Sequence, residues 1–288
     1  MPEDAAGSPS PRARGEARGE GRQLSDRPAY LALPPIIGHR GAAARAPENT
    51  LAGLRAAKQL GCSWVEFDAR LTGDGGLVLC HDPRLERTTD GTGLISGLGL
   101  AAVRGCDAGS RFGPQFAGER VPTLEAALLL AAELGLGCNI EIKAEPGRDY
   151  ATAAAVAATL RRLDDRLPAL LVSSFSAAAV AAMQKMVPQV PRGLLFRLVP
   201  HGWAVLAARL AVAVIGADYR RLRPHRIARI REAGYQLAAY TVNDPARARL
   251  LLGWGVTSVF SDAPDIIAKA GIGHGTAPAA PLRQGTMR

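Results

Sequence analysis

From Ile36 to about Lys269, short runs of β-branched and apolar residues alternate with longer stretches that carry helix signals. The pattern predicts nine strands: Ile36–Arg40, Trp64–Arg70, Leu77–Asp82, Gly137–Lys143, Ala169–Phe175, Arg192–Phe196, Val212–Tyr219, Gln236–Val242 and Val256–Asp262. Between them, Pro122-Thr123 opens an apolar helix closed by Gly135, and Pro224 opens one that ends at Gly234. Asp244-Pro245 supplies an N-cap and a first-turn proline, with Gly253 as the stop. Strand–helix alternation of this kind implies parallel strands joined by helical crossovers.

Nine strands are one too many for an eight-stranded barrel. Only Leu71–Gly76 separates the second from the third, too short for a parallel crossover, which needs about a dozen residues. Asp74-Gly75 is a hairpin signal, so Leu77–Asp82 is expected to fold back antiparallel outside the barrel. Eight strands remain. The expected fold is α/β, a single (β/α)8 TIM barrel with an antiparallel hairpin extension after strand 2; a doubly wound open sheet is the alternative. Asp68 lies six residues before the turn and His81 six after it, so the hairpin is expected to bring them roughly opposite each other.

Length and composition agree with one large domain and loose ends. The chain has 288 residues, 48% of them hydrophobic, which excludes wholesale disorder, a collagen and a disulfide-dense miniprotein. No run reaches the roughly 18 uninterrupted apolar residues of a transmembrane helix, so no stable membrane insertion is expected. Residues 1–29 read as a disordered N-terminal extension, 30–270 as the barrel and 271–288 as a flexible tail. The net charge of +9 points to an anionic partner. The extension contributes none of it, since five arginines there match five acids. Cys62, Cys80, Cys106 and Cys138 form no CxxC or zinc-finger spacing and read as free thiols, which suits a cytoplasmic location.

The chemistry gathers at strand ends, where barrels of this kind carry their active sites. Strand 1 ends in Gly38-His39-Arg40-Gly41. Glu66 and Asp68, two apart on strand 2, share a face, as do Glu141 and Lys143 on strand 4. The hairpin returns at His81-Asp82. Three clustered carboxylates would repel one another unless a cation joined them, and an all-oxygen set suits Mg²⁺ or Ca²⁺. Arg40 and Lys143 beside such an ion would make a phosphate site, and two histidines would serve as general acid and base. The predicted chemistry is metal-assisted cleavage of a phosphate ester. Asp82 reads as structural. Arginine runs such as Tyr219–Arg223 (YRRLR) read as solvated faces; the lesser alternative for this one, which follows a strand end, is added positive field at the mouth.

His39-Arg40-Gly41, Ala46-Pro47-Glu48-Asn49-Thr50, Glu66-x-Asp68, His81-Asp82 and Glu141-x-Lys143 occur in this order, followed by Ser173-Ser174-Phe175 and Tyr240-Thr241-Val242-Asn243. This set resembles the glycerophosphodiester phosphodiesterase family over nearly all of residues 36–268, and is most similar to its cytoplasmic bacterial branch. The resemblance implies a metal-dependent hydrolase that converts a small-molecule glycerophosphodiester into sn-glycerol 3-phosphate and an alcohol. It implies His39 and His81 as the acid/base pair, Glu66, Asp68 and Glu141 as ligands of Mg²⁺ or Ca²⁺, and Arg40 and Lys143 on the phosphate. Glu48 would support the site, with Phe175 and Tyr240 lining the substrate pocket. The sequence departs from the common family pattern at Tyr240, where many members carry Trp, and at Ser258-Val259, where Asp-Gly often stands. Two rivals are a phospholipase acting on intact lipids and a basic nucleic-acid-binding protein. The first lacks an apolar lid, and the second lacks any recognised motif or stacking aromatics, so no nucleic-acid partner is expected.

Overall fold

The computed structural model describes residues 31–272. The extension expected at 1–29 and the tail from 273 onward lie outside the described residues. Among the described residues nine strands are present: β1 (Ile36–Gly38), β2 (Trp64–Leu71), β3 (Leu77–Leu79), β4 (Gly137–Ile142), β5 (Leu170–Ser174), β6 (Arg192–Phe196), β7 (Val214–Asp218), β8 (Gln236–Tyr240) and β9 (Ser258–Ser261). Eight are parallel neighbours in a ring, and β1 pairs with both β9 and β2, which closes the barrel and excludes the open sheet. Among the strands β3 neighbours β2, antiparallel and outside the ring, and its other edge bridges from Val78 to Thr123.

The helices are α1 (Leu51–Gln59), α2 (Leu100–Gly105), α3 (Leu124–Glu133), α4 (Asp149–Leu163), α5 (Ala177–Met186), α6 (Trp203–Arg209), α7 (Pro224–Glu232), α8 (Pro245–Gly253) and α9 (Pro264–Lys269). Their starts follow local chemistry. The side chains of Thr50, Thr123, Ser176 and Asp244 accept the amides of Gly53, Ala126, Ala179 and Ala246.

The strands sort their side chains into two layers. Inward positions near the N-terminal ends are apolar: Ile37, Trp64, Leu171, Val214, Ala238 and Phe260 pack together in one buried cluster. Further along the same faces, Trp64 gives way to Glu66 and Asp68, and Leu171 to Ser173, all buried. Outward positions such as Val65, Phe67, Cys138 and Ile140 pack under the helices. The barrel is thus plugged by apolar contacts at one end and polar at the other.

The hairpin departs from its expected register by one residue. Ala69, Arg70 and Leu71 oppose Leu79, Val78 and Leu77, and the Cys80 amide donates to the Asp68 carbonyl at 2.9 Å. Cys80 therefore faces Asp68, and His81 falls one place beyond it. The turn is a three-residue loop centred on Asp74 rather than a two-residue turn at Asp74-Gly75; the Thr72 amide bonds the Gly76 carbonyl, and Gly75 takes φ +89°. Between β3 and α3 the chain makes an excursion for which the pattern predicts no element. Short 3₁₀ turns and α2 are held there over a buried patch that includes Val78, Cys80, Leu85, Ile95 and Val103.

Candidate active site

The strand expected at Ile36–Arg40 stops at Gly38, and the residues after it turn sharply. Arg40 sits at φ +50° and Gly41 at φ +88°. A Cβ on Gly41 would lie 2.6 Å from the Gly53 carbonyl carbon, so only glycine lets the turn pack against α1. The turn points the Arg40 amide at Glu66, whose Oε2 accepts it at 2.9 Å.

Five of the expected side chains, Arg40, Glu48, Asp68, Glu141 and Lys143, meet at the polar end of the barrel. The adjacent strands β2 and β4 are in register, with Asp68 opposite Glu141. Lys143 Nζ lies 2.6 Å from Glu141 Oε1 and 3.2 Å from Asp68 Oδ1. Asn49 donates to Asp68 Oδ2 at 2.8 Å and its carbonyl accepts the Asp68 amide at 3.0 Å, a two-point clamp. Arg40 Nη1 donates to Glu48 Oε1 at 2.9 Å, and its Nε lies 3.5 Å from Asp68 Oδ2. Arg87 holds Glu48 from the other side with two bonds, at 2.7 and 2.8 Å, and also donates to Asp82.

Both histidines are anchored through Nδ1. His39 Nδ1 is 2.6 Å from Asp262 Oδ1, and His81 Nδ1 is 2.6 Å from Asp82 Oδ1. Nε2 is left as the available nitrogen in each ring, and that of His39 lies 3.8 Å from Glu66 Oε2. Asp82 is therefore more than a hairpin residue. Asp262 is in turn held by Asn243, which donates to its Oδ2 and accepts its amide, both at 2.8 Å. Phe175 and Tyr240 stand beside the cluster. Lys143 Nζ is 5.7 Å from the Phe175 ring centre, and the two rings meet edge to face at 5.7 Å.

Residues 39–266 match the model of the glycerophosphoryl diester phosphodiesterase family. The chain belongs to this family. Among its relatives, it is 31% identical over 237 residues to the glycerophosphodiester phosphodiesterase of Caldanaerobacter subterraneus subsp. tengcongensis, covering 81% of this chain and 95% of that one. It is also 31% identical over 256 residues to a glycerophosphodiester phosphodiesterase of Bacillus subtilis, covering 83% of this chain and 86% of that one. Among solved structures it resembles an Oleispira antarctica phosphodiesterase, itself in complex with the product sn-glycerol-3-phosphate, with TM-score 0.80 and 38% identity over 83% of this chain and 96% of that one. The protein is a glycerophosphodiester phosphodiesterase, a phosphoric diester hydrolase.

The electrostatics of this phosphodiesterase fit a cation. Glu66, Asp68 and Glu141 are 2%, 1% and 8% exposed, and oxygens from the three lie within 4.8 Å of one another. Glu66 Oε1, Asp68 Oδ1 and Glu141 Oε1, one atom from each, accept no well-directed hydrogen bond. Burial, and then the charges of Asp68 and Glu141, raise the Glu66 pKa well above its ordinary range. Burial and Asp68 likewise push Glu141 up to about 7. Asp68 moves down instead, because Lys143 and Arg40 together outweigh its burial. In this inward-facing acidic cluster Glu66 Oε1 has no hydrogen-bond partner among the described residues and Lys143 alone faces Asp68 Oδ1 and Glu141 Oε1, a set that could hold a hard divalent ion.

The two departures from the family pattern fall in different places. Ser258 and Val259 lie in β9 towards the closed end, where the Ser258 hydroxyl donates to the Pro34 carbonyl at 2.6 Å. Tyr240 is at the open end, and its hydroxyl donates to the Phe196 carbonyl at 2.7 Å. Sequence reasoning passed over Asp262, Asn243, Asn49 and Arg87. Asp262 carries a signal as a carboxylate at the end of the last strand, and Asn49 and Asn243 stand in the quoted motifs without an assigned role; Arg87 has none of these. Among the described residues no helix is long and apolar enough to cross a membrane.

Proposed function

We propose that the enzyme hydrolyses small glycerophosphodiesters to sn-glycerol 3-phosphate and the free alcohol, with His39 and His81 as general acid and base. The observation that carries this reading is the matched anchoring of two imidazoles by carboxylates, His39 on Asp262 and His81 on Asp82, beside three clustered carboxylates. Such anchoring sets the tautomer and leaves Nε2 of each ring free to move a proton. Across the net hydrolysis one imidazole takes a proton from the oxygen that attacks phosphorus, the other gives a proton to the alkoxide as its P–O bond breaks, and water supplies the oxygen retained on the phosphate.

Glu66, Asp68 and Glu141 would hold Mg²⁺ or Ca²⁺. When bound, the ion neutralises these carboxylates and stabilises negative charge on the phosphoryl oxygens. Arg40 would add a planar fork to the phosphate and Lys143 a point charge. Both remain charged: burial would lower their pKa values, but the surrounding carboxylates raise them further. Glu48 positions Arg40 through its 2.9 Å bond. Phe175 and Tyr240 would line the path of the leaving alcohol. The free thiols agree with a cytoplasmic location.

Release of glycerol 3-phosphate from glycerophosphocholine or glycerophosphoethanolamine, with Mg²⁺ or Ca²⁺ and again with EDTA, tests the reading. His39→Ala and His81→Ala are each expected to lose about 10²–10⁴-fold in turnover while keeping a native circular dichroism spectrum. Near-normal turnover in either variant would refute its assignment.

A further inference from the structure

Beyond Tyr240, on the same open face of the barrel, lies an open basin of about 510 Å³ lined by Asp218, Arg220, Arg221 and Arg223. It holds three guanidinium groups against one carboxylate, and that carboxylate is already engaged by Arg220 at 2.8 Å. Arg221 makes no hydrogen bond or ion pair among the described residues, and Arg223 donates only to the carbonyls of Arg220 and Leu222. The basin adjoins the active site through the sheet itself. Asp218 ends β7 directly opposite Tyr240 at the end of β8, and the Tyr240 hydroxyl donates to Phe196, the residue before Arg197. The inward series of β6, Gly193 and Leu195, continues to Arg197, which is exposed and has no hydrogen-bond or ion-pair partner among the described residues. Arg197 and Arg220 both act electrostatically on the Tyr240 phenol, although burial is the larger influence on it.

A chain of contacts thus runs from Lys143 to the Phe175 ring, from Phe175 to Tyr240, and from Tyr240 across the strand pair to Asp218, which lines the basin beside Arg221 and Arg223. We infer that Arg197, Arg221 and Arg223 form a second anion subsite that favours substrates whose leaving alcohol carries a further phosphate. This rests on the phosphodiester hydrolysis proposed above and names the substrate class for the same site. Guanidinium forks match phosphate oxygens in pairs, and a dianion set apart from the scissile phosphate by one sugar-sized ring would span the two aromatic side chains. The alcohols glycerol, choline and ethanolamine carry no such group and would leave the basin unused.

Glycerophosphoinositol and glycerophosphoinositol 4-phosphate differ by one phosphate and form the test pair. Release of glycerol 3-phosphate from each is measured for the wild type, for Arg197→Ala/Arg221→Ala and for Arg221→Lys, alongside calorimetric binding of both compounds. The wild type is expected to favour the phosphorylated compound on the order of tenfold in kcat/KM, with the gain in KM. In the double variant this preference falls towards unity, and Arg221→Lys keeps part of it. A wild-type ratio near one, or a ratio unchanged in the double variant, overturns the subsite while leaving the proposed hydrolysis standing. Equal turnover of both compounds, with Arg197- and Arg221-dependent binding to phosphatidylglycerol vesicles, also overturns it and assigns the arginines to a lipid surface. Absence of glycerol 3-phosphate from either compound and from glycerophosphocholine is instead a failure of the hydrolysis, and the calorimetric preference then still decides the subsite.

Discussion

His39 and Asp262 are 223 positions apart in the chain, yet His39 Nδ1 lies 2.6 Å from Asp262 Oδ1. Closure of the barrel makes the contact, because β1 and β9 are neighbours and Gly38 is in register with Ser261. The His39 amide donates to the Ser261 carbonyl at 2.8 Å, so the backbone holds the two residues in the same step of the sheet.

Asp262→Asn tests the weight of this contact. An amide keeps the shape but can accept or donate, so the ring loses the charge that selects its tautomer. Turnover is expected to fall about a hundredfold or more, with KM little changed and the fold intact by circular dichroism. The burial of Asp262 would raise its pKa, but His39 and Asn243 bring it below the ordinary carboxylate value, so the anion persists through neutral pH. A steady-state assay in which Asp262→Asn turned over at the wild-type rate would leave His39 without need of its partner.

The carboxylate cluster makes a pH prediction of definite sign. In the metal-free protein, Glu141 titrates at about 7 and Glu66 well above its ordinary value. The folded state then binds more protons than the unfolded state between the two sets of values, so stability is greatest at low pH within this window and declines as pH rises through about 7. A bound divalent ion replaces the protons and removes the decline. Melting temperatures from pH 5.5 to 8.5, in EDTA and in Mg²⁺ or Ca²⁺, should therefore diverge as pH rises. Parallel curves would show that the cluster binds no ion.

Glu66-x-Asp68 and Glu141-x-Lys143 were legible because a strand has a period of two: spacing alone places each pair on one face. The hairpin was legible as a hairpin but not in its register. Asp74-Gly75 marks a turn, whereas the choice between a two- and a three-residue loop depends on backbone angles around Gly75 that no local rule determines. Asp262 and Asn243 were hidden for a different reason. The partner of Asp262, His39, sits at the other end of the chain and meets it only through barrel closure, and Asn243 matters only through the Asp262 it holds. The excursion between β3 and α3 has no periodicity to read, since it is tied by side-chain bonds such as those of Asp107 to the amides of Gly109, Ser110 and Gly118.

Gly41 carries a prediction about the fold at the site. Its φ of +88° and the 2.6 Å approach a Cβ would make to Gly53 combine backbone strain with a clash against backbone rather than a movable side chain. Gly41→Ala is expected to cost at least roughly 1–3 kcal/mol in denaturant unfolding. It should also lower turnover more than it lowers stability, because the same turn aims the Arg40 amide at Glu66. Gly75→Ala serves as the control, since that glycine has a similar φ of +89° but nothing near its missing Cβ. Equal losses in both variants would reduce the effect to strain alone.

Arg70 links the two halves of the catalytic end without touching the carboxylate cluster by a hydrogen bond. Its side chain is buried, and its Nε and Nη2 donate to the His81 carbonyl at 3.0 and 2.6 Å, while Nη1 donates to the Lys143 carbonyl at 3.4 Å. One planar fork thereby sets the height of His81, which arrives from outside the barrel, against Lys143 at the end of β4. Lysine carries the charge but cannot donate along these directions together. Arg70→Lys is expected to leave carbonyls short of donors, at about 1–3 kcal/mol of stability, and to reduce turnover by misplacing His81. The distinguishing measurement is the pH–rate profile. Burial holds the His81 pKa below its ordinary value, so a ring that slips towards solvent should titrate higher and move the limb it controls to higher pH. A reduced rate with an unmoved profile would mean that Arg70 acts on stability alone.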